Sequence, residues 1–464
     1  MRWRSDVTGQ LPRLPKGFLF GAATASYQIE GAVDADGRGP SIWDTFAHTP
    51  GAVAGGDTGD VACDHYHRYA EDVELLKQLG AGAYRFSIAW PRIQPDGKGG
   101  VNAAGLDFYQ RLVDELIDAG ITPMATLYHW DLPQPLEDAG GWRERDTAER
   151  FADYAAIVHE ALADRVPYWI TLNEPFCSSF IGYAEGRHAP GAREGHGALA
   201  AAHHLLVAHG LAVRAMRAQR KNDERFGITL NMNHVTPATD APADVAAAAR
   251  AELLANRVFS DPVLAGRYPE GEVELWGEIS DFSFRRDGDL ALAHEPIDFL
   301  GVNNYFPQYA KDAPSQEPDL SRRVATDIGV VDVPPGSLPQ TAMPWPAEPD
   351  GLRRLLVWLR DTYRDLPPIY ITENGAAYPD TVADGAVDDR ARIGYLDGHL
   401  RAVGQAIEAG VDVRGYFCWS LLDNFEWAYG YAKRFGLIYV DYQTQQRIPK
   451  ASYHWYRQLI EQHA

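Results

Sequence analysis

A stretch of apolar residues at helical spacing, a glycine, and then an unbroken apolar run follow one another three times in this chain. The three copies have Gly80 before 83–88, Gly120 before 121–128 and Gly410 before 413–419. Helical spacing predicts an amphipathic helix, the glycine its end, and the aromatic or β-branched run a strand. In the second copy the predicted apolar helix face consists of Phe108, Leu112, Val113, Leu116 and Ile117.

Further apolar runs bring the predicted strands to about eight. They cover residues 18–23, 168–172, 226–231, 297–303 and 369–373. Strands that alternate with helices indicate parallel strands joined by crossover helices. Eight such units close most simply as a (β/α)8 TIM barrel with functional loops at the C-terminal face of the strands, and a doubly wound open sheet is the alternative. Because no linker divides the sequence, residues 1–464 are predicted to form a single α/β domain.

Two segments fall outside this repeat. Residues 306–350 are rich in Pro, Asp and Ser and have little periodicity. A structureless stretch of this length is uncommon in a compact domain and is usually functional when it occurs. Residues 243–258 are instead predicted to form an alanine-rich amphipathic helix without a chemical role.

The composition is acidic, with 43 Lys and Arg against 64 Asp and Glu and a formal net charge of -21. This balance opposes binding to nucleic acid or to an anionic membrane, and neither is expected as a partner. Residues 1–9 are polar and charged, and no stretch of about 18 apolar residues stands out, so we expect a soluble, cytoplasmic protein. The pattern leaves the oligomeric state open.

The three cysteines, Cys63, Cys177 and Cys418, lie far apart. Their spacing supports neither a disulfide framework nor a Cys-x-x-Cys metal site, which agrees with a reducing compartment. We expect all three to be small buried hydrophobic residues. The pairs His65 and His67, and His203 and His204, lack the ligand count of a zinc site, so no metal is expected.

Polar and aromatic side chains collect where the predicted strands end. Two runs deliver carboxylates, Glu174 and Glu373, and two carboxylates are the minimum for one acid/base or nucleophile/acid reaction. Amides and carboxylates hydrogen-bond hydroxyl groups, and tryptophan faces cover the C–H faces of a sugar ring. A site for a neutral polyhydroxylated ligand is therefore predicted. Its candidate residues are Gln28, Arg85, Trp90, His129, Trp130, Asn173, Asn303, Asn304, Tyr305, Trp419, Glu426 and Trp427.

Six longer motifs occur in order along the chain. They are FGAATASYQIEG (20–31), YRFSIAW (84–90), LYHWDLP (127–133), TLNEP (171–175), ITENG (371–375) and WSLLDNFEW (419–427). Together they resemble the signature segments of glycoside hydrolase family 1, the β-glucosidase family, and the resemblance covers nearly the whole chain. It implies a (β/α)8 barrel and a retaining, exo-acting β-glucosidase that removes terminal β-D-glucosyl residues, tolerates galactosyl and fucosyl groups, and needs no cofactor.

The resemblance also implies a role for each carboxylate. Glu373 is expected to attack the anomeric carbon, while Glu174 protonates the leaving oxygen and later deprotonates water. Retention predicts carboxyl groups about 5 to 5.5 Å apart. Arg85 and Asn303 are expected to favour ionised Glu373, and Tyr305 to orient it. The negative charge of Glu373 is expected to keep Glu174 protonated at rest.

The glycone pocket implied by the resemblance has a defined set of members. Asn173 is expected to bind the 2-hydroxyl group, with Gln28, His129, Trp130 and Glu426 as further hydroxyl ligands, Trp419 as the stacking floor and Trp427 as another hydroxyl contact. A carboxylate at Glu426 repels phosphate, which predicts an unphosphorylated sugar. Glutamate at position 174, where thioglucosidases tend to have glutamine, predicts an O-glycosidase. Trp345 matches the family's aglycone-side tryptophan, although its neighbours Pro344 and Pro346 depart from the usual Gly-Trp-Glu pattern.

Two other functions compete with hydrolysis. One is a carbohydrate-binding or sensing protein that keeps the pocket without turnover, and the intact pair Glu174 and Glu373 speaks against it. The other is a transglycosidase, in which a sugar captures the glycosyl-enzyme in place of water. The expected substrates are small β-glucosides or cello-oligosaccharides.

Overall fold

The computed structural model describes residues 14–463, so the polar segment 1–9 lies outside the described residues. At its centre each of eight parallel strands pairs with its neighbours in sequence, and the last pairs with the first. This closed barrel confirms the (β/α)8 prediction and rules out the open sheet. The strands are β1 (Leu19–Ala23), β2 (Ala83–Ser87), β3 (Thr122–Tyr128), β4 (Tyr168–Asn173), β5 (Arg225–Asn231), β6 (Phe299–Asn303), β7 (Ile369–Asn374) and β8 (Val413–Trp419).

A long helix follows each strand of the barrel. Gly80, Gly120 and Gly410, the predicted helix ends, have φ angles of 79°, 74° and 94°, a left-handed conformation that glycine adopts without steric cost. The three predicted helix stops are thereby confirmed. The helices are α1 (His65–Leu79), α2 (Ala103–Asp118), α3 (Arg145–Leu162), α4 (His196–Ala218), α5 (Pro242–Glu252), α6 (Pro349–Thr362), α7 (Arg390–Glu408) and α8 (Ala451–His463).

Helix α4 is long and apolar enough to cross a membrane by length and composition alone. In this fold, however, 83% of its apolar window is buried inside the protein. Its apolar surface therefore packs against neighbouring elements, above all α3 and the segment Cys177–Glu185. The sequence pattern did not identify this stretch as a long apolar helix. Its apolar composition is explained by burial on all sides of the helix.

Three local predictions differ from the structure. Ile117 is 45% exposed, because the buried face of α2 ends at Leu116. Residues 306–350 are not wholly irregular, since Gln308–Asp312 and Val330–Asp332 form a small sheet with the distant Val235–Pro237. The helix predicted over 243–258 ends earlier as an α-helix, at Glu252, and continues through a π-helical turn.

Candidate active site

The two candidate carboxylates lie at the C-terminal ends of β4 and β7. The regular pairing of β7 with β6 shifts between Ile371 and Glu373, and that of β4 with β5 shifts between Ile170 and Asn173. Such irregularities at a barrel rim redirect side chains. Gly375 lets the chain after β7 pass close to the end of β8, because a Cβ atom there would clash with the Trp419 carbonyl oxygen. Both carboxylates are buried.

Glu373 is held by a cation and a phenol. Arg85 Nη1 donates to Glu373 Oε1 at 2.6 Å, and the Tyr305 hydroxyl donates to Oε2 at 2.6 Å. Burial raises the pKa of Glu373 above its ordinary value, whereas the charge of Arg85, then the hydrogen bonds from Tyr305, Arg85 and Asn303, lower it. The predicted partners therefore lower the pKa of Glu373, as expected, but they do not fully offset the increase that burial causes.

Glu174 has only neutral partners. Asn303 Nδ2 donates to its Oε1 at 2.7 Å, and the Cys177 thiol donates to its Oε2 at 3.2 Å. Burial first, and the negative charge of Glu373 second, raise the pKa of Glu174 to about 8. The sequence-based account named only the charge of Glu373, so the larger contribution of burial is a correction. Asn303, which was predicted to act on Glu373, donates from Nδ2 to Glu174 Oε1 and to Asn173 Oδ1.

Asn173 links the two carboxylates to the rest of the site. Its Oδ1 accepts from Arg85 Nη2 at 2.6 Å and from Asn303 Nδ2 at 3.0 Å. Its Nδ2 donates to His129 Nε2 at 2.9 Å, and its carbonyl oxygen accepts from Trp130 Nε1 at 2.9 Å. One amide side chain thus connects groups from β2, β3, β4 and β6 in a single network.

Two buried polar atoms of this network have no hydrogen-bond partner within the protein. They are His129 Nδ1 and Gln28 Oε1. Because His129 Nε2 accepts from Asn173, Nδ1 carries the proton and is a donor, whereas Gln28 Oε1 is an acceptor. Burial, then the nearby Arg85 charge, hold the pKa of His129 well below its usual range, so the ring is neutral. Because a hydroxyl group can both donate and accept, these two atoms are candidate contacts for a hydroxylated ligand.

Glu426 lies beside Gln28, which donates from Nε2 to the Phe425 carbonyl oxygen at 2.8 Å and to Glu426 Oε2 at 3.5 Å. Burial, then the charges of Glu373 and Glu174, raise the pKa of Glu426 to about 8. Glu426 therefore interacts electrostatically with both Glu373 and Glu174, and of these three carboxyl groups Arg85 contacts Glu373. A phosphate group would be repelled there by ionised Glu373, and Glu426, which is mostly protonated near neutral pH at this pKa, offers it no positive charge.

Aromatic rings form one wall of the pocket. The Trp130 and Trp427 ring centres lie 4.4 Å apart, and the His129 ring stacks on Trp419 at 5.8 Å and on Trp427 at 5.9 Å. Trp130, Glu174 and Trp427 have φ angles of 77°, 47° and 50°. A left-handed conformation costs a non-glycine residue about 1 to 3 kcal/mol, and such strain is concentrated at functional sites.

Trp345 lies next to the nucleophile side of the site. Its ring centre is 5.5 Å from that of Tyr305 and 4.9 Å from that of Phe306. A tight turn holds it, because Thr341 N donates to the Trp345 carbonyl oxygen at 3.0 Å. With its two flanking prolines, this indole therefore still contacts Tyr305, which bonds to Glu373.

The structure brings the predicted site residues into one connected cluster with two exceptions. The Trp90 indole bonds to Gln94, and the Asn304 side-chain amide donates to the Met232 carbonyl oxygen. The sequence analysis missed two contributors. Cys177 touches Glu174, and buried Asp131, two residues after His129, accepts at 2.7 Å from the hydroxyl of Ser26, two residues before Gln28. Asp131 lies within the motif 127–133, so the sequence offered a signal for it. Cys177 lies just after the motif 171–175, and no sequence signal pointed to it. Within 14–463, no three His, Cys, Asp or Glu side chains form a group that could hold a metal ion.

Comparison with known proteins agrees with this arrangement. The sequence matches the family model Glycosyl hydrolase family 1 over residues 10–464. A bifunctional β-D-glucosidase/β-D-fucosidase of Bifidobacterium breve is 50% identical, covering 97% of this chain and 98% of the relative. Thermostable β-glucosidase B of Thermobispora bispora is 52% identical, with coverage of 98% and 92%.

Solved structures give the same result in three dimensions. The structure of a β-glucosidase of Thermotoga maritima in complex with noeuromycin superimposes with a TM-score of 0.91 at 46% identity, covering 98% of this chain and 100% of the other. Sequence motifs, barrel geometry and both comparisons thus lead to one assignment. This chain belongs to glycosyl hydrolase family 1.

Proposed function

We propose that the protein is a retaining, exo-acting β-glucosidase in which Glu373 is the nucleophile and Glu174 the general acid/base. One observation carries the assignment: two buried carboxylates, at the C-terminal ends of β4 and β7, have opposite surroundings. Glu373 bonds to the Arg85 guanidinium, and Glu174 bonds only to neutral donors. An ionised nucleophile and a protonated acid are the pair that glycosyl transfer to the enzyme requires.

In the first half-reaction Glu373 attacks the anomeric carbon and Glu174 gives its proton to the leaving oxygen. Arg85 and Tyr305 hold one oxygen each of Glu373 and fix its direction of attack. Asn173 binds the 2-hydroxyl group, a contact that strengthens as the oxocarbenium-like transition state forms. The predicted separation of about 5 to 5.5 Å between the carboxyl groups stays a prediction of this mechanism.

In the second half-reaction Glu174 changes its role. When Glu373 becomes an ester, it loses its charge, and that charge is one of the two main causes that raise the pKa of Glu174. The pKa of Glu174 therefore falls, and the ionised carboxylate removes a proton from water, which attacks the anomeric carbon. The coupling of the two groups supplies acid first and base second.

The proposed substrates are terminal β-D-glucosyl groups of small β-glucosides or cello-oligosaccharides, with Gln28, His129, Trp130, Trp419, Glu426 and Trp427 around the sugar. The names of the Bifidobacterium and Thermobispora relatives support glucose, and the former supports fucose as well. The carboxylates of the pocket support an unphosphorylated sugar. Trp345 is proposed to contact the aglycone, because it lies over Tyr305 at the nucleophile.

We also propose that residues 1–464 form one catalytic domain, because the barrel strands extend from Leu19 to Trp419 and the family model matches 10–464. A cytoplasmic location is proposed on separate grounds. Cys63, Cys177 and Cys418 are all free and buried, which suits a reducing compartment.

An NMR time course of p-nitrophenyl β-glucoside cleavage, with and without azide, tests the proposal. Wild type is expected to release β-glucose first. Glu373→Gly is expected to lose about five orders of magnitude in kcat and, with azide, to yield α-glucosyl azide. Glu272→Gln, which changes a buried carboxylate paired with Arg285 outside the site, serves as control and should keep near wild-type turnover.

Two results would overturn the proposal in different ways. Early release of α-glucose by wild type would mean inversion, and the roles of Glu373 and Glu174 would be wrong. Absence of turnover on any simple β-glycoside would favour a binding protein. Added sugar alcohol separates hydrolase from transglycosidase, because a transglycosidase would give mainly the transfer product at low acceptor concentration.

A further inference from the structure

The free thiol of Cys177 lies against the proposed acid/base. Glu174 has a φ angle of 47°, and Cys177 N donates to the Glu174 carbonyl oxygen at 2.9 Å, which closes a tight turn. A π-helix, Cys177–Glu185, starts at this residue. The turn directs Sγ back over the carboxylate, where it lies 3.2 Å from Glu174 Oε2.

The other oxygen of this carboxylate has a different partner whose orientation is fixed. Asn303 Nδ2 donates to Glu174 Oε1, and Asn303 Oδ1 accepts from Thr372 Oγ1 at 2.8 Å. The amide cannot be reversed without losing both bonds, so Oε1 always faces an N–H donor. The transferable proton of Glu174 therefore belongs on Oε2, the oxygen that Cys177 contacts.

A thiol suits this position better than a hydroxyl or a cation. Burial, then the charge of Glu174, raises the pKa of Cys177 well above its ordinary value, so the group remains a neutral S–H donor. Because S–H is a weak donor and sulfur a weak acceptor, the contact tolerates both protonation states of Oε2. A stronger donor would favour the ionised form and weaken the acid.

We propose that Cys177 is a positioning residue for the acid/base, whose thiol hydrogen bond holds Glu174 Oε2 toward the leaving group and supports its ionised form in the second half-reaction. The inference rests on the proposed role of Glu174. It assigns Cys177 a part in the reaction that simple packing of a small buried residue would not give.

The test is the pH profile of kcat/KM on phenyl β-glucoside, whose leaving group needs the proton. Cys177→Ala is expected to move the basic limb up by about 0.5 to 1 pH unit, because loss of the donor destabilises ionised Glu174. Cys177→Ser restores a donor and should return the limb to the wild-type position or below it. Cys63→Ala is the matched control, since Cys63 is a buried thiol bonded to the Asp423 carbonyl oxygen, and its limb should not move.

The outcomes separate this inference from the proposed function. If Glu174→Ala loses the basic limb while Cys177→Ala leaves it in place, Cys177 only packs and the inference fails alone. If Glu174→Ala keeps the basic limb, the acid/base assignment fails and the inference with it. If Cys177→Ala does not fold, Cys177→Ser and Cys177→Val test the inference instead. Of these two, only Cys177→Val is expected to move the basic limb of the kcat/KM profile to higher pH.

Discussion

Glu373 and Glu174 are the same residue type at the ends of two barrel strands, and both are buried, yet their surroundings are opposite. Glu373 accepts from a guanidinium and a phenol, and Glu174 accepts from an amide and a thiol. Burial raises the pKa of both groups. The charge of the donor, rather than the depth of the site, therefore separates a nucleophile from an acid.

The comparison also explains why the pair works as a unit. Asn173 and Asn303 connect the two surroundings, because Asn173 accepts from Arg85 and Asn303 bonds to Glu174. A change at Arg85 therefore reaches Glu174 through three hydrogen bonds, from Arg85 to Asn173, from Asn173 to Asn303 and from Asn303 to Glu174. Variants that alter one set of donors at a time measure how far the two roles can be separated.

Arg85→Met should have the largest effect, because it removes the one charged donor from the nucleophile side. We expect kcat/KM to fall about a thousandfold, since Arg85 orients the nucleophile and removal of one preorganised electrostatic contact from an active site costs about 10² to 10³ in rate. Arg85 lowers the pKa of Glu373, so its removal raises that pKa, and the acidic limb of the kcat/KM profile should move to higher pH. Steady-state kinetics across pH 4 to 9 would measure both effects.

Arg285→Met provides the control for Arg85→Met. Arg285 bonds to both oxygens of Glu272 at 2.7 Å outside the site, so its loss should lower thermal stability without moving either limb. An acidic limb that stays in place in Arg85→Met would show that Arg85 is not what keeps Glu373 ionised. The charge of the donor would then not explain why Glu373 is ionised and Glu174 is protonated.

Glu174→Gln should stabilise the protein at neutral pH while abolishing its acid function. In the folded state burial raises the pKa of Glu174 to about 8, above the ordinary 4.5. Below pH 4.5 both states hold the proton and nothing is lost, but as pH rises toward 8 the unfolded state ionises freely and stability falls. The variant should gain about 1 to 3 kcal/mol at pH 7 and nothing at pH 4.

Thermal unfolding of wild type and Glu174→Gln at pH 4 and pH 7 would test this sign. A melting temperature that rises at both pH values would indicate better packing of the amide. A decrease at pH 7 would mean that the folded protein prefers ionised Glu174, contrary to its surroundings.

Most of the fold could be predicted from the sequence, because local sequence signals determine where its helices end and where its strands lie. The glycines at 80, 120 and 410 stop helices through their own conformational freedom, and the apolar runs match the eight strands within about two residues at each end. The strand Gln308–Asp312 was missed because its partner, Val235–Pro237, is remote in sequence and both are short. Pairing between short, distant strands produces no hydrophobic periodicity that can be recognised in the sequence.

The candidate site also contains some residues that the sequence could predict and others that it could not. Motifs placed Glu174 and Glu373, because both lie at strand ends and strand ends meet at one rim of a barrel, and a motif also identified Arg85, which lies within β2. They did not reveal Cys177, whose contact depends on the left-handed conformation of Glu174 and the π-helical turn that follows. Nor could they rank burial above the charge of Glu373, since burial is a property of the whole assembled pocket.

Thr372→Val should have the smallest effect and tests the bridge between the two carboxylates. Thr372 Oγ1 donates to Asn303 Oδ1 and thereby orients the amide that bonds to Glu174. Valine keeps the shape but not the donor, so kcat/KM on phenyl β-glucoside should fall about three- to tenfold. Thr147→Val, which removes a buried bond to the Gly141 carbonyl oxygen outside the site, should affect only stability. Equal kinetics for the two variants would mean that Asn303 keeps its orientation without Thr372, and that the acid/base side is organised by Asn303 and Cys177 alone.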